Sequence, residues 1–236
     1  MKILYLFPQL LSLYGEYGNV AVLKKVLEEN GHMVEVVPCE DGVADFSEYS
    51  LIYIGSGTED NLMVALDRLL PHQKEICASI RGGALWLATG NAMSLFGKTI
   101  SRDDKEFSSL GSFPYQTIMQ DTKRYLGDAL TEEQYGYPMI GFINTSCVYS
   151  GVASPFLHLL LGNKLGNDKQ SAAEGLQAKN FYGTQLIGPV LAKNPHFLKH
   201  IAELMVEEPI TLNPSSNLCK AYEVSMAELQ TRLGNI

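Results

Sequence analysis

Short, largely apolar runs alternate with longer stretches whose apolar residues recur every three or four positions, and that alternation narrows the folds open to the chain. Ile3 to Phe7, Val34 to Val37, Leu51 to Ile54 and Ala84 to Ala88 have the length and composition of strands buried on both faces. Between the first two, Gly18 to Asn30 puts Val20, Leu23, Val26 and Leu27 on one helical face, and Gly31 follows as a stop signal. Asp60 to Ile80 reads as helix, with Pro71 breaking it in two. Strands alternating with helices in this way predict an α/β fold with a mostly parallel sheet covered on both faces. Open sheets of that kind bind ligands beyond the carboxyl ends of their strands. Both Gly55-Ser56-Gly57 and Gly90-Asn91 fall at that edge.

Further along, Ser101 to Gly151 is richer in short β-like pieces, Phe113 to Met119 and Met139 to Asn144, than in helical patterns. Gly162 to Gly175 is a polar, glycine-containing loop, and Phe181 to Leu191 carries a strand-and-turn signal that closes on Gly188-Pro189. Asn194-Pro195 opens a helix to about Val206, with Asn at the cap and Pro in the first turn. Pro209 to Pro214 then leads to a last amphipathic helix from about Leu218 to Leu233. There is no internal repeat and no domain linker. Residues 1–208 are expected to form one domain, with 209–236 a link and helix packed on it.

The 236 residues can bury one sizeable core, and a net charge of -8 supplies no basic stripe for nucleic acid. Cys39, Cys77, Cys147 and Cys219 are widely separated, with no CxxC pair and no histidine at metal-ligand spacing, which reads as reduced thiols in a cytoplasm. The opening apolar run is too short for a signal-peptide core or a membrane span. No metal and no cofactor are expected.

Leu87 to Gly97 reads as a buried strand turning sharply into a helix, the architecture that presents a catalytic Ser or Cys above an α/β sheet. Here the turn holds Thr89, Gly90 and Asn91, and an ordinary strand-to-helix loop is the simpler reading of that segment by itself.

Longer motifs point further. Leu13-Tyr14-Gly15-Glu16-Tyr17-Gly18-Asn19 is similar to an LYGDxGN start, and Glu174-Gly175 with Gly183-Thr184-Gln185-Leu186-Ile187-Gly188-Pro189-Val190-Leu191 and Lys193-Asn194-Pro195 is similar to EG, GTYLHGPLL and KNP. In these the chain resembles class I glutamine amidotransferases of the cobyric acid synthase (CobB/CobQ) type, and among them the glutaminase subunits of lipid II isoglutaminyl synthases. The resemblance implies a flavodoxin-like three-layer fold and an oxyanion loop at Gly55-Ser56-Gly57-Thr58-Glu59-Asp60. The implied pocket is Gly55, Ser56, Gly57, Thr89, Gly90 and Asn91. Arg124, in Lys123 to Asp128, would take a substrate-binding role. The implied partner is a Mur-type ATP-dependent ligase.

The departures bear on activity. Laid without gaps on the family's LAICGGYQLLG elbow, Gly90 stands at the nucleophilic cysteine, and the closing motif puts Ile187 at the catalytic histidine. A glutaminase needs a thiolate to attack the side-chain amide and an imidazole to take and return the proton, and these residues supply neither. Thr89 is adjacent but is expected to lack a general base. Cys77 and Cys147 read as buried structural thiols, and His196 and His200, four apart on a helix, as a solvated face. Glu59-Asp60 reads as a charge pair complementing a helix N-terminus. Two readings stay open. One is a degenerate glutaminase retained as a subunit or binding partner, still holding a small amide or amino acid. The other is an active amidotransferase or hydrolase with a relocated nucleophile, serving cell-wall or cobalamin biosynthesis.

Overall fold

The computed structural model describes residues 1–41, 45–120 and 122–234. In chain order the elements are β1 (Lys2–Leu6), α1 (Tyr17–Glu29), β2 (Glu35–Cys39), β3 (Leu51–Ile54), α2 (Glu59–Leu69), α3 (Gln73–Gly82) and β4 (Trp86–Thr89). A β-rich stretch follows with β5 (Thr99–Arg102), β6 (Lys105–Ser108), β7 (Gln116–Met119), β8 (Tyr125–Gln134), β9 (Tyr137–Thr145), β10 (Cys147–Ser150) and β11 (Leu157–Leu161). The chain closes with β12 (Ala173–Glu174), β13 (Leu176–Ala178), β14 (Phe181–Thr184), β15 (Leu186–Ile187), α4 (Val190–Lys193), α5 (Pro195–Val206) and α6 (Asn217–Gly234).

The central sheet has the order β13-β14-β4-β3-β1-β2, parallel except for β13 at one edge. Alternate side chains of each strand enter opposite cores. Ile3, Tyr5, Leu51, Tyr53 and Leu87 pack with Val20, Leu23 and Leu27 of α1 and Phe197 and Ile201 of α5. Leu4, Leu6, Ile52, Ile54 and Trp86 pack with Leu62 and Leu66 of α2 and Ile76 of α3. Burial on both faces is why these strands carry so few polar residues. The α/β architecture read from the alternation is therefore present, and Pro71 sits in a 3-10 turn, Leu70–His72, that separates α2 from α3.

Two further sheets form the β-rich region, β10-β7-β5-β6 and β12-β11-β8-β9-β15. The second ties the insertion to the elbow, because β15 pairs with β9 immediately after β14 has left the central sheet. α6 lies across its outer side, with Met226 and Leu229 against Leu130 and Ile140, and the Tyr222 hydroxyl donates to the Pro138 carbonyl at 2.7 Å.

Two local expectations change. The segment after β4 is a 3-10 helix, Gly90–Phe96, with every residue buried, so no solvent-facing stripe exists to favour an amphipathic α-helix. Asn194 occupies the cap of α5 but makes no capping bond with its side chain. Its amide instead mimics a strand, with Oδ1 accepting from the Ile140 amide at 2.8 Å and Nδ2 donating to the Ile140 carbonyl at 2.9 Å.

Candidate functional site

β4 ends at Thr89, and the chain reverses through Gly90 at φ +62°, in the left-handed region that glycine adopts without penalty. A Cβ built there would stand 2.5 Å from both Cβ and Oγ of Ser56 and 3.0 Å from Cγ2 of Ile187. Gly90 and Ile187, which the resemblance sets at the cysteine and histidine positions, thus lie side by side, and Ser56 and Ile187 fill the space a side chain at 90 would need. Ser56, Asn91 and Ile187 are all buried.

The loop after β3 is fastened to this turn by one side chain. Asn91 Oδ1 accepts from the Gly57 amide and the Ser56 hydroxyl, each at 3.1 Å, and its Nδ2 donates to the Gly57 carbonyl at 2.8 Å. Gly55, Ser56, Gly57, Thr89, Gly90 and Asn91 are gathered at the carboxyl edge of the sheet. The Gly57 N–H, a candidate oxyanion donor, is taken up by Asn91. Gly57 is also required by space, since a Cβ there would lie 2.5 Å from Leu11 Cδ2 and 2.8 Å from the Leu10 carbonyl oxygen.

Beneath the turn lies a polar knot that sequence reasoning missed. Glu16 is wholly buried, and its Oε2 accepts from the Thr89 hydroxyl and the Tyr53 hydroxyl at 2.5 Å each and from Asn19 Nδ2 at 3.2 Å. Asn19 Oδ1 in turn accepts from the Leu191 amide at 2.8 Å. Burial pushes the Glu16 carboxyl above its usual range, opposed by the bonds from Thr89 and Tyr53. The expectation that Thr89 lacks a base is therefore corrected, because a carboxylate sits against its hydroxyl. Both residues have no exposed surface, so this pair meets no substrate in the structure and serves to join the loop before α1 to β3 and β4. An acid and an amide at these two places in the LYGEYGN motif are the only trace the knot leaves in the sequence.

Arg124 stands just before β8, half exposed. Its Nη1 bonds Glu59 Oε1 at 2.8 Å and its Nε donates to Asn144 Oδ1 at 2.9 Å. Glu59 also accepts from the Ser146 hydroxyl at 2.9 Å, and Asn144 Nδ2 donates to the Tyr14 hydroxyl at 3.1 Å. Burial raises the Glu59 pKa, but its own backbone amide, Ser146 and Arg124 outweigh that and leave it lowered. Glu59 and Asp60 do occupy the first turn of α2, where acids complement the helix dipole.

Neither buried thiol has an imidazole within hydrogen-bonding distance. Cys147 Sγ lies 3.5 Å from the Ser94 hydroxyl, and Cys77 Sγ lies 3.3 Å from both the Leu110 carbonyl and the Ser112 hydroxyl. His196 and His200 do not form a solvated face. The His200 ring stacks on Tyr135 at 3.9 Å with its Nε2 2.9 Å from the Tyr182 hydroxyl, and burial against the aromatic rings around Tyr222 drops His196 to about 4. Among the described residues no group of three or more His, Cys, Asp or Glu could hold a metal.

A second buried network, also unforeseen, precedes Ile187. Glu174 accepts from the Gln185 amide at 2.6 Å and the Thr184 hydroxyl at 2.9 Å, and Lys169 Nζ donates to Gln185 Oε1 at 2.6 Å. Burial raises Glu174 to about 7 and lowers Lys169 to about 8.

No family model matches the chain. The three-layer α/β fold, a mostly parallel sheet with helices on both faces, is shared with solved glutamine amidotransferases. A crystal structure of a glutamine amidotransferase superposes with a TM-score of 0.54 at 14% identity, covering 86% of this chain and 98% of that one. The glutaminase domain of Trypanosoma brucei CTPS, with bound acivicin, gives 0.52 at 8% identity, covering 92% and 98%. Among curated proteins the chain is similar to the GatD subunit of the glutamine-hydrolysing lipid II isoglutaminyl synthase of Streptococcus pneumoniae, 28% identical over 82% of this chain and 76% of the relative. The GatD subunit of Staphylococcus aureus is 26% identical over 88% of this chain and 85% of the relative.

Proposed function

We propose that the chain is a glutamine amidotransferase-like subunit that does not hydrolyse glutamine and partners a Mur-type ATP-dependent ligase in amidation of a cell-wall precursor. Similarity to two GatD subunits supports the pathway, since both are named as parts of a lipid II isoglutaminyl synthase. It favours cell-wall over corrinoid amidation, the other pathway compatible with a CobB/CobQ-type ancestry. The observation that carries the loss of hydrolysis is Gly90 in a left-handed turn with Ser56 and Ile187 packed into the place of its missing side chain. Without a nucleophile no acyl intermediate forms, and without an imidazole no proton reaches the leaving ammonia. The four cysteines form no disulfide among the described residues, which suits a reducing cytoplasm, where we place the protein. In the described residues no helix is long and apolar enough to cross a membrane.

The test is glutamate release from glutamine by the purified chain, alone and with a co-expressed Mur-ligase-like protein, followed by co-purification of the two. The reading expects a stable complex and no release above buffer. Release that disappears on Cys147→Ala or Cys77→Ala would overturn it in favour of a relocated nucleophile.

A further inference from the structure

Away from the elbow, a cavity of about 280 Å³ lies between α6, the β8–β9 hairpin and the end of α4. Two cations reach it, and they differ. Arg232 is committed, with Nη1 on Asp128 Oδ2 at 2.5 Å and Nε on Glu228 Oε1 at 3.0 Å. Lys193 is not: among the described residues no carboxylate lies within 4.0 Å of its Nζ, whose hydrogen bond is a long 3.5 Å contact to the Ile187 carbonyl. Burial lowers the Lys193 pKa, which the more distant charges of Asp128 and Glu16 only partly oppose. A half-buried ammonium without a close counter-ion is costly, and an anion beside it removes that cost.

The rest of the cavity says what kind of anion. Ile140 and Leu229 form an apolar wall, and Ser225 lines the cavity on α6. Phosphate or sulfate would leave that wall uncovered, whereas a carboxylate on a short hydrocarbon chain satisfies both ends. At about 280 Å³ the cavity lies just below the 300–1,000 Å³ typical of drug-sized ligands, which suits a small occupant. We propose that the cavity beneath α6 binds a small aliphatic carboxylate, its anionic end on Lys193 Nζ and its chain against Ile140 and Leu229. The site is independent of whether the chain hydrolyses glutamine. Because the Lys193 ammonium also touches the carbonyl of Ile187, the occupant draws on the residue that faces Gly90.

The test uses the full chain and butyrate as probe, with butylamine, butyramide and inorganic phosphate as controls for charge and shape. Binding is followed by NMR shifts of the Ile140 and Leu229 methyl groups. Saturable shifts with butyrate, none with butylamine and at least about tenfold weaker binding of butyramide and phosphate are expected. Lys193→Met should weaken butyrate by about tenfold or more, and Lys193→Arg should retain it within about threefold. Butyramide binding as well as butyrate, an absence of saturable shifts, or undiminished binding by a folded Lys193→Met chain each overturns the proposal. The butyramide comparison decides the matter even if that variant does not fold.

Discussion

Ser56 stands 2.5 Å, by both its Cβ and its Oγ, from the point that a Cβ on Gly90 would occupy. A side chain at 90 therefore meets two obstacles, a left-handed backbone and an occupied site. Gly90→Ala is expected to cost about 2–4 kcal/mol, combining the left-handed penalty with overpacking. Ser56→Gly should restore about 1–2 kcal/mol of this by removing the second obstacle alone. Urea denaturation of both single variants and the double variant measures the coupling, and purely additive effects would show that Ser56 does not fill that space.

Asn91 makes three hydrogen bonds to the loop after β3. Asn91→Ala leaves the buried Gly57 amide without its acceptor and should destabilise by about 2–3 kcal/mol. Amide exchange at Gly57 would accelerate alongside. A loss under about 0.5 kcal/mol would mean that the loop is held by Leu10 and Leu11 instead.

Glu174 gives a pH dependence whose sign follows from its raised pKa. Between the unfolded value of 4.5 and the folded value of about 7, the folded state holds the proton more tightly, so stability falls as pH rises through that window and levels off above it. The full change from this group is at most about 3.5 kcal/mol, because each tenfold change in proton affinity is worth about 1.4 kcal/mol. Glu16, raised in the same direction, adds to it. Melting temperatures from pH 5 to 7.5 should show a shallower slope in Glu174→Gln than in the parent chain. Equal slopes would remove Glu174 as the source.

Arg124 bridges Glu59 and Asn144 while about 42% of its side chain remains exposed. Solvent screens such a pair, so Arg124→Ala should cost no more than about 1 kcal/mol in chemical denaturation. A larger loss would mark it as a structural clamp.

Much of the architecture was readable because β1, β3, β4 and α1 are decided by local patterning: a strand buried on both faces cannot hide its composition. β8 was not readable. Only Ala129 to Thr131 of its ten residues are buried, and the polar ends from Tyr125 to Gln134 follow no alternation strong enough to separate strand from loop. Gly90 and Ile187 could be matched through motifs, yet the packing of Ser56 against Gly90 could not, because it depends on how the loop after β3 closes onto β4. Glu16 eluded local reading for a similar reason. Its partners Tyr53 and Thr89 lie 37 and 73 positions away, and nothing near Glu16 announces that a carboxylate there is enclosed.

The left-handed turn at Gly90 is closed over by Ser56 and Ile187, which stand where a side chain at 90 would go. A cysteine placed at 90 alone would collide with Ser56. Any larger residue at 90 therefore depends on a smaller one at 56, so the two positions can change only in step.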